Sequence, residues 1–198
     1  VKTYRINEIF FSLQGEGIRT GTANCFLRFS NCNIHCRHET HGFECDTEFE
    51  TGRDLTADQI VSELRRVGHE CDWVVLTGGE PALQLDEELI NILRRDGFKL
   101  AIETNGTIAL PEGLDWITVS PKVPEDQIRQ KTADEVKYVV VFGQPLPQTS
   151  VQARYKLISP AFTGTTLDRQ TLDWCVKLVK ENQSWRLSVQ IHKFIGIP

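Results

Sequence analysis

The chain contains no methionine, no long apolar run, no basic run, no internal repeat and no low-complexity tract. Each absence narrows the reading. A membrane-spanning helix needs about 20 consecutive apolar residues, so no membrane role is expected. No charged-then-apolar leader opens the sequence, and a cytoplasmic home is the expectation. With a net charge of -5 and no basic cluster, a nucleic-acid partner is not expected. Small anionic substrates stay open. The missing methionine means that the initiator was removed or lies ahead of Val1. No linker breaks the 198 residues, which read as a single domain, 1–198, large enough to bury a core.

Cysteine is unevenly spread. Cys25, Cys71 and Cys175 lie beside apolar residues and read as small buried hydrophobes. Cys32, Cys36 and Cys45 crowd into fourteen residues. In a chain outside the secretory route, a clustered triplet reads first as a metal site. Three thiolates can hold an iron–sulfur cluster and leave one iron open to a ligand. They can equally form a zinc site with His35, His38 or His41 as the fourth ligand. They can also be three unrelated thiols.

Apolar runs rich in β-branched residues predict strands at Ile6–Phe11, Cys25–Phe29, Trp73–Leu76, Lys99–Ile102, Trp116–Val119, Val136–Phe142, Tyr155–Ile158 and Arg186–Ile191. Three helices are expected. One follows Thr56-Ala57-Asp58-Gln59, a capping-box pattern, and carries Ile60, Leu64 and Val67 on one face. The others span about Asp86–Arg95 and Asp168–Glu181. Proline-rich stretches at Pro121–Pro124 and Gln144–Gln148 read as loops. Strands outnumber helices, and several look parallel and buried. The fold class is therefore α/β, an incomplete (partial) TIM-like βα barrel with few helices, because a full barrel takes about 250 residues.

Five strands are followed by groups able to bind something: Thr77-Gly78-Gly79-Glu80-Pro81, Glu103-Thr104-Asn105-Gly106, Ser120-Pro121-Lys122, Ser159-Pro160 and His192-Lys193. Each alone is explained by a turn. Together they match the carboxyl-end face where parallel barrels gather their active sites. Gly78 and Gly79 let backbone approach a ligand, and Glu80 can accept from an amino group. The plain alternative for this segment is a helix start. Leu13-Gln14-Gly15-Glu16-Gly17 could wrap a small ligand or be a hairpin loop. Arg28 interrupts an apolar strand, and a buried arginine needs a carboxylate partner from protein or substrate.

In this order, these segments and the tail His192-Lys193-Phe194-Ile195-Gly196-Ile197-Pro198 resemble the radical S-adenosylmethionine (SAM) superfamily. Within it they are most similar to the 7-carboxy-7-deazaguanine synthase family of queuosine and deazapurine biosynthesis. The resemblance covers almost the whole chain. One departure stands out: eight residues separate Cys36 from Cys45, where the superfamily commonly has two.

The resemblance implies a lyase that converts 6-carboxy-5,6,7,8-tetrahydropterin to 7-carboxy-7-deazaguanine with loss of ammonia. Its hydrogen abstraction would occur at C6. It implies a [4Fe–4S] cluster on Cys32, Cys36 and Cys45, and Mg²⁺ at Thr47, a hard cation on an oxygen donor. SAM would meet Glu44, Cys45, Asp46, Gly79, Ser120, Pro121, Lys122 and the loop Ser159, Pro160, Ala161 and Phe162. The substrate would meet Leu13, Gln14, Gly15, Arg28 and Thr77, and the carboxylate of Pro198 would hold its amino-pyrimidinone edge. A flavodoxin or ferredoxin would supply electrons, and the protein would be a homodimer. Two alternatives remain: a glycyl-radical activating enzyme of the same superfamily, and a non-catalytic zinc or iron–sulfur binding module.

Overall fold

The computed structural model describes residues 1–45 and 47–198. Two long strands open the chain, β1 (Tyr4–Leu13) and β2 (Ala23–Phe29). A one-turn helix, α1 (His38–His41), and a short strand, β3 (Arg53–Leu55), follow. Then come α2 (Ala57–Gly68), β4 (Trp73–Gly78), α3 (Glu87–Arg95), β5 (Lys99–Thr104) and β6 (Trp116–Val119). The last part holds β7 (Thr132–Val140), β8 (Gln152–Pro160), a small hairpin of β9 (Phe162–Thr163) and β10 (Thr166–Leu167), α4 (Arg169–Glu181), β11 (Trp185–Leu187) and α5 (Ile191–Ile195).

The main sheet runs β11-β8-β7-β6-β5-β4-β2-β1-β3. From β2 to β11 every neighbouring pair is parallel, and β1 and β3 add an antiparallel edge. The strand period of two divides the residues cleanly. Cys25, Leu27 and Phe29 of β2, Val74 and Leu76 of β4, and Leu100 and Ile102 of β5 pack with Ile60, Leu64, Leu89 and Leu93 of α2 and α3. Val136, Tyr138 and Val140 of β7 pack with Cys175 and Leu178 of α4. The alternate residues Phe26, Val75 and Ala101 line the opposite face, with Phe10, Trp73 and Trp116 against them.

That opposite face is concave. Sheet order places β1 and β7 five steps apart. At roughly 4.8 Å per step a flat sheet would separate them by about 24 Å. Yet Glu16, just past β1, pairs with Lys137 of β7, and the Ile18 N–H donates to Glu135 of β7 at 2.9 Å. Only a strongly curled sheet allows this. The Ile191 N–H also donates to the Gly15 carbonyl at 3.0 Å, so the chain after β11 meets the chain after β1. The result is the expected incomplete barrel, drawn together by loops.

The three main helices lie where the pattern put them, and the Thr56/Gln59 capping box is fully formed. Other boundaries differ. The expected strand Val136–Phe142 starts earlier, at Thr132, and ends at Val140. The expected strand Arg186–Ile191 stops at Leu187, because Ser188 turns inward to accept from the Gly17 N–H at 2.9 Å. His192 and Lys193 therefore sit on α5 rather than directly after a strand. Of the scattered cysteines, Cys25 and Cys175 are buried as expected, while Cys71 is only partly so.

Candidate active site

The site begins where β2 and β4 end. Asn31 adopts a left-handed backbone (φ 72°). Its N–H donates to the Phe49 carbonyl at 2.7 Å, and its carbonyl accepts from the Glu80 N–H at 2.9 Å. This draws the cysteine segment against the Gly78–Gly79 turn. A Cβ at Gly79 would lie 2.0 Å from the Asn31 carbonyl oxygen. Glycine is therefore required there by close approach of two backbones.

The eight-residue gap between Cys36 and Cys45 is absorbed locally. Residues 38–41 form α1, and the Cys45 N–H returns to the Cys36 carbonyl at 3.3 Å. None of Cys32, Cys36 and Cys45 is in a disulfide, and all three line one cavity. Burial pushes the Cys32 thiol above its ordinary value, with Glu80 and Cys45 acting in the same direction against the N–H groups of Ile34 and Asn33.

The histidines do not join them. The His35 ring packs on Phe49 at 5.6 Å, and His41 meets Thr40 at 2.7 Å and the Lys122 carbonyl at 3.1 Å. Among the described residues no three His, Cys, Asp or Glu side chains converge on a point fit for a single metal ion. This disfavours a preformed zinc site.

The thiol cavity is walled by strand ends. Glu44, Thr47, Thr77, Gly79, Ser120, Lys122, Ser159, Pro160, Ala161 and Phe162 line it. Lys122 Nζ donates to Ser120 Oγ at 2.6 Å. Pro121 between them is buried and is not part of the lining. Asp46 lies outside the described residues.

A second cavity adjoins the first and holds every residue assigned above to the substrate: Leu13, Gln14, Gly15, Arg28, Thr77 and Pro198. Glu16, Thr47, Thr77, Glu103 and Gln190 line both. The Pro198 carbonyl accepts from Ser12 Oγ at 3.0 Å. Arg28 has the protein carboxylate partner that the sequence pattern called for, but it is less buried than that pattern indicated. Its side chain is one-third exposed, pairs with Glu8 at 3.1 Å and lies over the Phe10 ring.

Between the cavities lies a polar cluster that joins Gln14, Glu16 and Glu103, from segments the sequence marks, to Lys137 and Gln190, which it does not. Lys137 is 5% exposed and points into the barrel from β7. It pairs with Glu16 and lies 4.0 Å from Glu103. Gln190 Nε2 donates to Glu16 at 2.6 Å, and Gln14 Nε2 donates to Glu103 at 2.9 Å. Burial pushes Glu16 up, but Lys137 overrides it and holds the carboxyl below its ordinary value. Burial opposes the charge on Lys137, yet Glu16 and Glu103 raise it above the usual lysine range. Glu135 moves the other way, raised by burial despite its bonds to the Ile18 N–H and Thr118. The missed signal was Lys137 inside the otherwise apolar run Val136–Val140, two residues on from Glu135 and so on the same strand face.

Glu80 takes the plain alternative named for its segment, a carboxylate at a helix start: it caps the short 3-10 turn Pro81–Leu83, with Pro81 in its first turn. It is fully buried and accepts from Thr104 Oγ1 (2.7 Å), the Asn105 N–H (2.7 Å) and the Ala82 N–H (3.0 Å). Its carboxylate ties β4 to β5 rather than facing a ligand.

A curled parallel sheet that gathers three thiols and a second, arginine-bearing cavity at its carboxyl ends has the architecture of a cluster-dependent radical enzyme. Comparison with known proteins agrees. Residues 27–141 match the family profile of the radical SAM superfamily. The 7-carboxy-7-deazaguanine synthase of Bacteroides thetaiotaomicron is 41% identical over 194 residues, 98% of each chain. That of Nitratidesulfovibrio vulgaris is 39% identical, covering 99% of this chain and 100% of its own. The crystal structure of QueE from Escherichia coli superposes with a TM-score of 0.69 at 24% identity, covering 95% of this chain and 94% of the other, a likeness of fold. The chain belongs to the 7-carboxy-7-deazaguanine synthase family of the radical SAM superfamily.

Proposed function

We propose that this protein is a radical SAM lyase, a single domain over residues 1–198, that converts 6-carboxy-5,6,7,8-tetrahydropterin to 7-carboxy-7-deazaguanine with loss of ammonia. The observation that carries this reading is the pair of adjoining cavities. One is lined by three thiols and the other contains Arg28, and they share Glu16, Thr47, Thr77, Glu103 and Gln190. A cofactor in the first and a carboxylate-bearing ring in the second would meet across this common wall.

The residues present fit the groups the family uses. Cys32, Cys36 and Cys45 would hold the [4Fe–4S] cluster, whose one-electron chemistry on the SAM sulfonium supplies the means to remove a hydrogen atom from carbon. Glu44, Cys45, Asp46, Gly79, Ser120, Pro121, Lys122 and the segment Ser159, Pro160, Ala161 and Phe162 would hold SAM. Thr47 lines both cavities and offers an oxygen donor of the kind Mg²⁺ prefers.

Arg28 orients the substrate. Its partner Glu8 is 47% exposed, and such a surface pair is weak. A substrate carboxylate, able to take the guanidinium fork in two bonds, can replace it. Leu13, Gln14, Gly15, Thr77 and Pro198 shape the rest of the ring's seat. Lys137 keeps Glu16 ionised as a buried acceptor on the shared wall. Enclosure matters because the protein's task in such chemistry is to bind, orient and exclude side reactions.

The family's other features complete the reading: a cytoplasmic homodimer, reduced by a flavodoxin or ferredoxin. Cys45 is exposed, which favours electron entry near the cluster loop. No helix among the described residues is long and apolar enough to cross a membrane.

The test is anaerobic reconstitution with iron and sulfide, followed by reductant, SAM, Mg²⁺ and the carboxypterin, with products read by mass spectrometry. The expected result is 7-carboxy-7-deazaguanine only when every component is present. SAM cleavage without that product would overturn the substrate assignment, and a protein that takes up no cluster would overturn the reading as a whole.

A further inference from the structure

Three side chains from two loops form a closed ring of hydrogen bonds beside the thiol cavity. Asn105 Nδ2 donates to Asn33 Oδ1 at 2.9 Å. Asn33 Nδ2 donates to Thr107 Oγ1 at 2.8 Å. Thr107 Oγ1 donates to Asn105 Oδ1 at 2.7 Å, and the Thr107 N–H reaches the same oxygen at 2.9 Å. Each donor meets an acceptor, and the Thr107 hydroxyl is used both ways. Such a ring fixes both amides in a single orientation.

The ring is anchored on one side only by the fold. Asn105 is 8% exposed, and its N–H is held by the buried Glu80 carboxylate at 2.7 Å. Glu80 also takes Thr104 and the Ala82 N–H, so the anchor joins the ends of β4 and β5. On the other side, Asn33 is exposed and follows Cys32 directly. The Ile34 N–H, one residue on, points at Cys32 Sγ at 3.4 Å. The ring therefore connects the rigid floor of the barrel to the backbone that presents the first thiol.

We propose that Thr107, Asn105 and Asn33 are positioning residues for the cluster: their hydrogen-bond ring holds the Cys32 loop in the geometry that binds iron. This rests on the proposed function, since it needs a cluster to position. It extends that function to residues given no role so far, of which only Asn105 reaches the lining of the thiol cavity. Thr107 carries the clearest test, because valine matches its shape and lacks only the hydroxyl. Thr107→Val removes two of the ring's bonds without opening a cavity. Thr107→Ser keeps the hydroxyl.

The experiment compares wild type, Thr107→Val and Thr107→Ser after anaerobic reconstitution. Iron release to a chelator is timed by the loss of cluster absorbance, and the reduced cluster is examined by electron paramagnetic resonance. Two ordinary hydrogen bonds correspond to about a tenfold effect. Thr107→Val is expected to lose iron about three- to tenfold faster and to alter the resonance line shape, with Thr107→Ser close to wild type. Circular dichroism and thermal unfolding of the cluster-free proteins check that the fold survives. If Thr107→Val releases iron at the wild-type rate with an unchanged spectrum, the positioning role is wrong while the proposed function stands. If wild type itself takes up no cluster, the functional reading fails first.

Discussion

At the residue scale, the account turns on Lys137, a lysine the barrel buries among Glu16, Glu103 and Glu135. Removing one partner of a buried pair typically costs about 3–5 kcal/mol because the other charge is left uncompensated. Lys137→Met should therefore destabilise the protein by about that much in a denaturant titration. The pH dependence follows from the directions of shift. Glu16 lies below its ordinary value when folded, so its contribution is present above the unfolded carboxylate value and is lost as pH falls through the lowered one. Lys137 is raised, so its contribution is full below the ordinary lysine value and is lost only as pH climbs through the higher one. Both therefore act at neutral pH. In Lys137→Met, burial of Glu16 is opposed only by the Gln190 hydrogen bond and the nearby His192, so its pKa rises. The acid limb of product formation should move to higher pH, and a profile with the wild-type acid limb would contradict the role given to Lys137. Gly79 makes a second prediction. A methyl group 2.0 Å from the Asn31 carbonyl forces the cysteine segment away, and such overpacking typically costs about 1–3 kcal/mol. Gly79→Ala should bind several-fold less iron on reconstitution, read by colorimetric iron analysis; full loading would show that the close approach is dispensable.

At the scale of elements, α5 and the loop after β1 act together. A Cβ on Gly15 would lie 2.0 Å from His192 Nδ1, and the Gly15 carbonyl accepts from the Ile191 N–H. Gly15→Ala should push α5 and Pro198 off the second cavity. The expected result is a Michaelis constant for the carboxypterin raised about tenfold, equivalent to roughly 1.4 kcal/mol. Cluster content should stay unchanged, and an unaltered constant would count against α5 as part of the substrate seat. Helix α2 supplies a contrast. Thr56→Ala removes the hydroxyl that caps Gln59 and should cost about 1 kcal/mol in thermal unfolding with no change in turnover. These cases also mark what was legible in the sequence. The three longer helices and the parallel strands were readable because their apolar periods are long and their caps are local. The positions of the thiol loop and the strand-end segments were readable because glycine, proline and cysteine mark them. Lys137 and Gln190 were not, because their importance arises only when the sheet curls and brings β7 and the segment after β11 to the marked segment around Glu16. Arg28 and Glu80 were legible in part: a carboxylate partner and a helix start were expected. That the partner is Glu8, opposite Arg28 in the β1–β2 pairing, and that Glu80 also holds Thr104 and Asn105 of the next strand end, depends on register and sheet order.

At the scale of the whole molecule, the curled sheet divides labour between its two faces. The helix-covered face carries the apolar core, and the concave face carries two cavities that share one wall. The central claim is that hydrogen moves directly across that wall, from a ring held by Arg28 to a cofactor held at the three thiols. The most direct measurement uses carboxypterin deuterated at C6. Mass spectrometry would then locate the label in the SAM recovered after turnover and in its cleavage product. Deuterium at the 5′ carbon of the adenosyl group is the predicted result. Full product formation with the label released to solvent, and none in the adenosyl group, would contradict it.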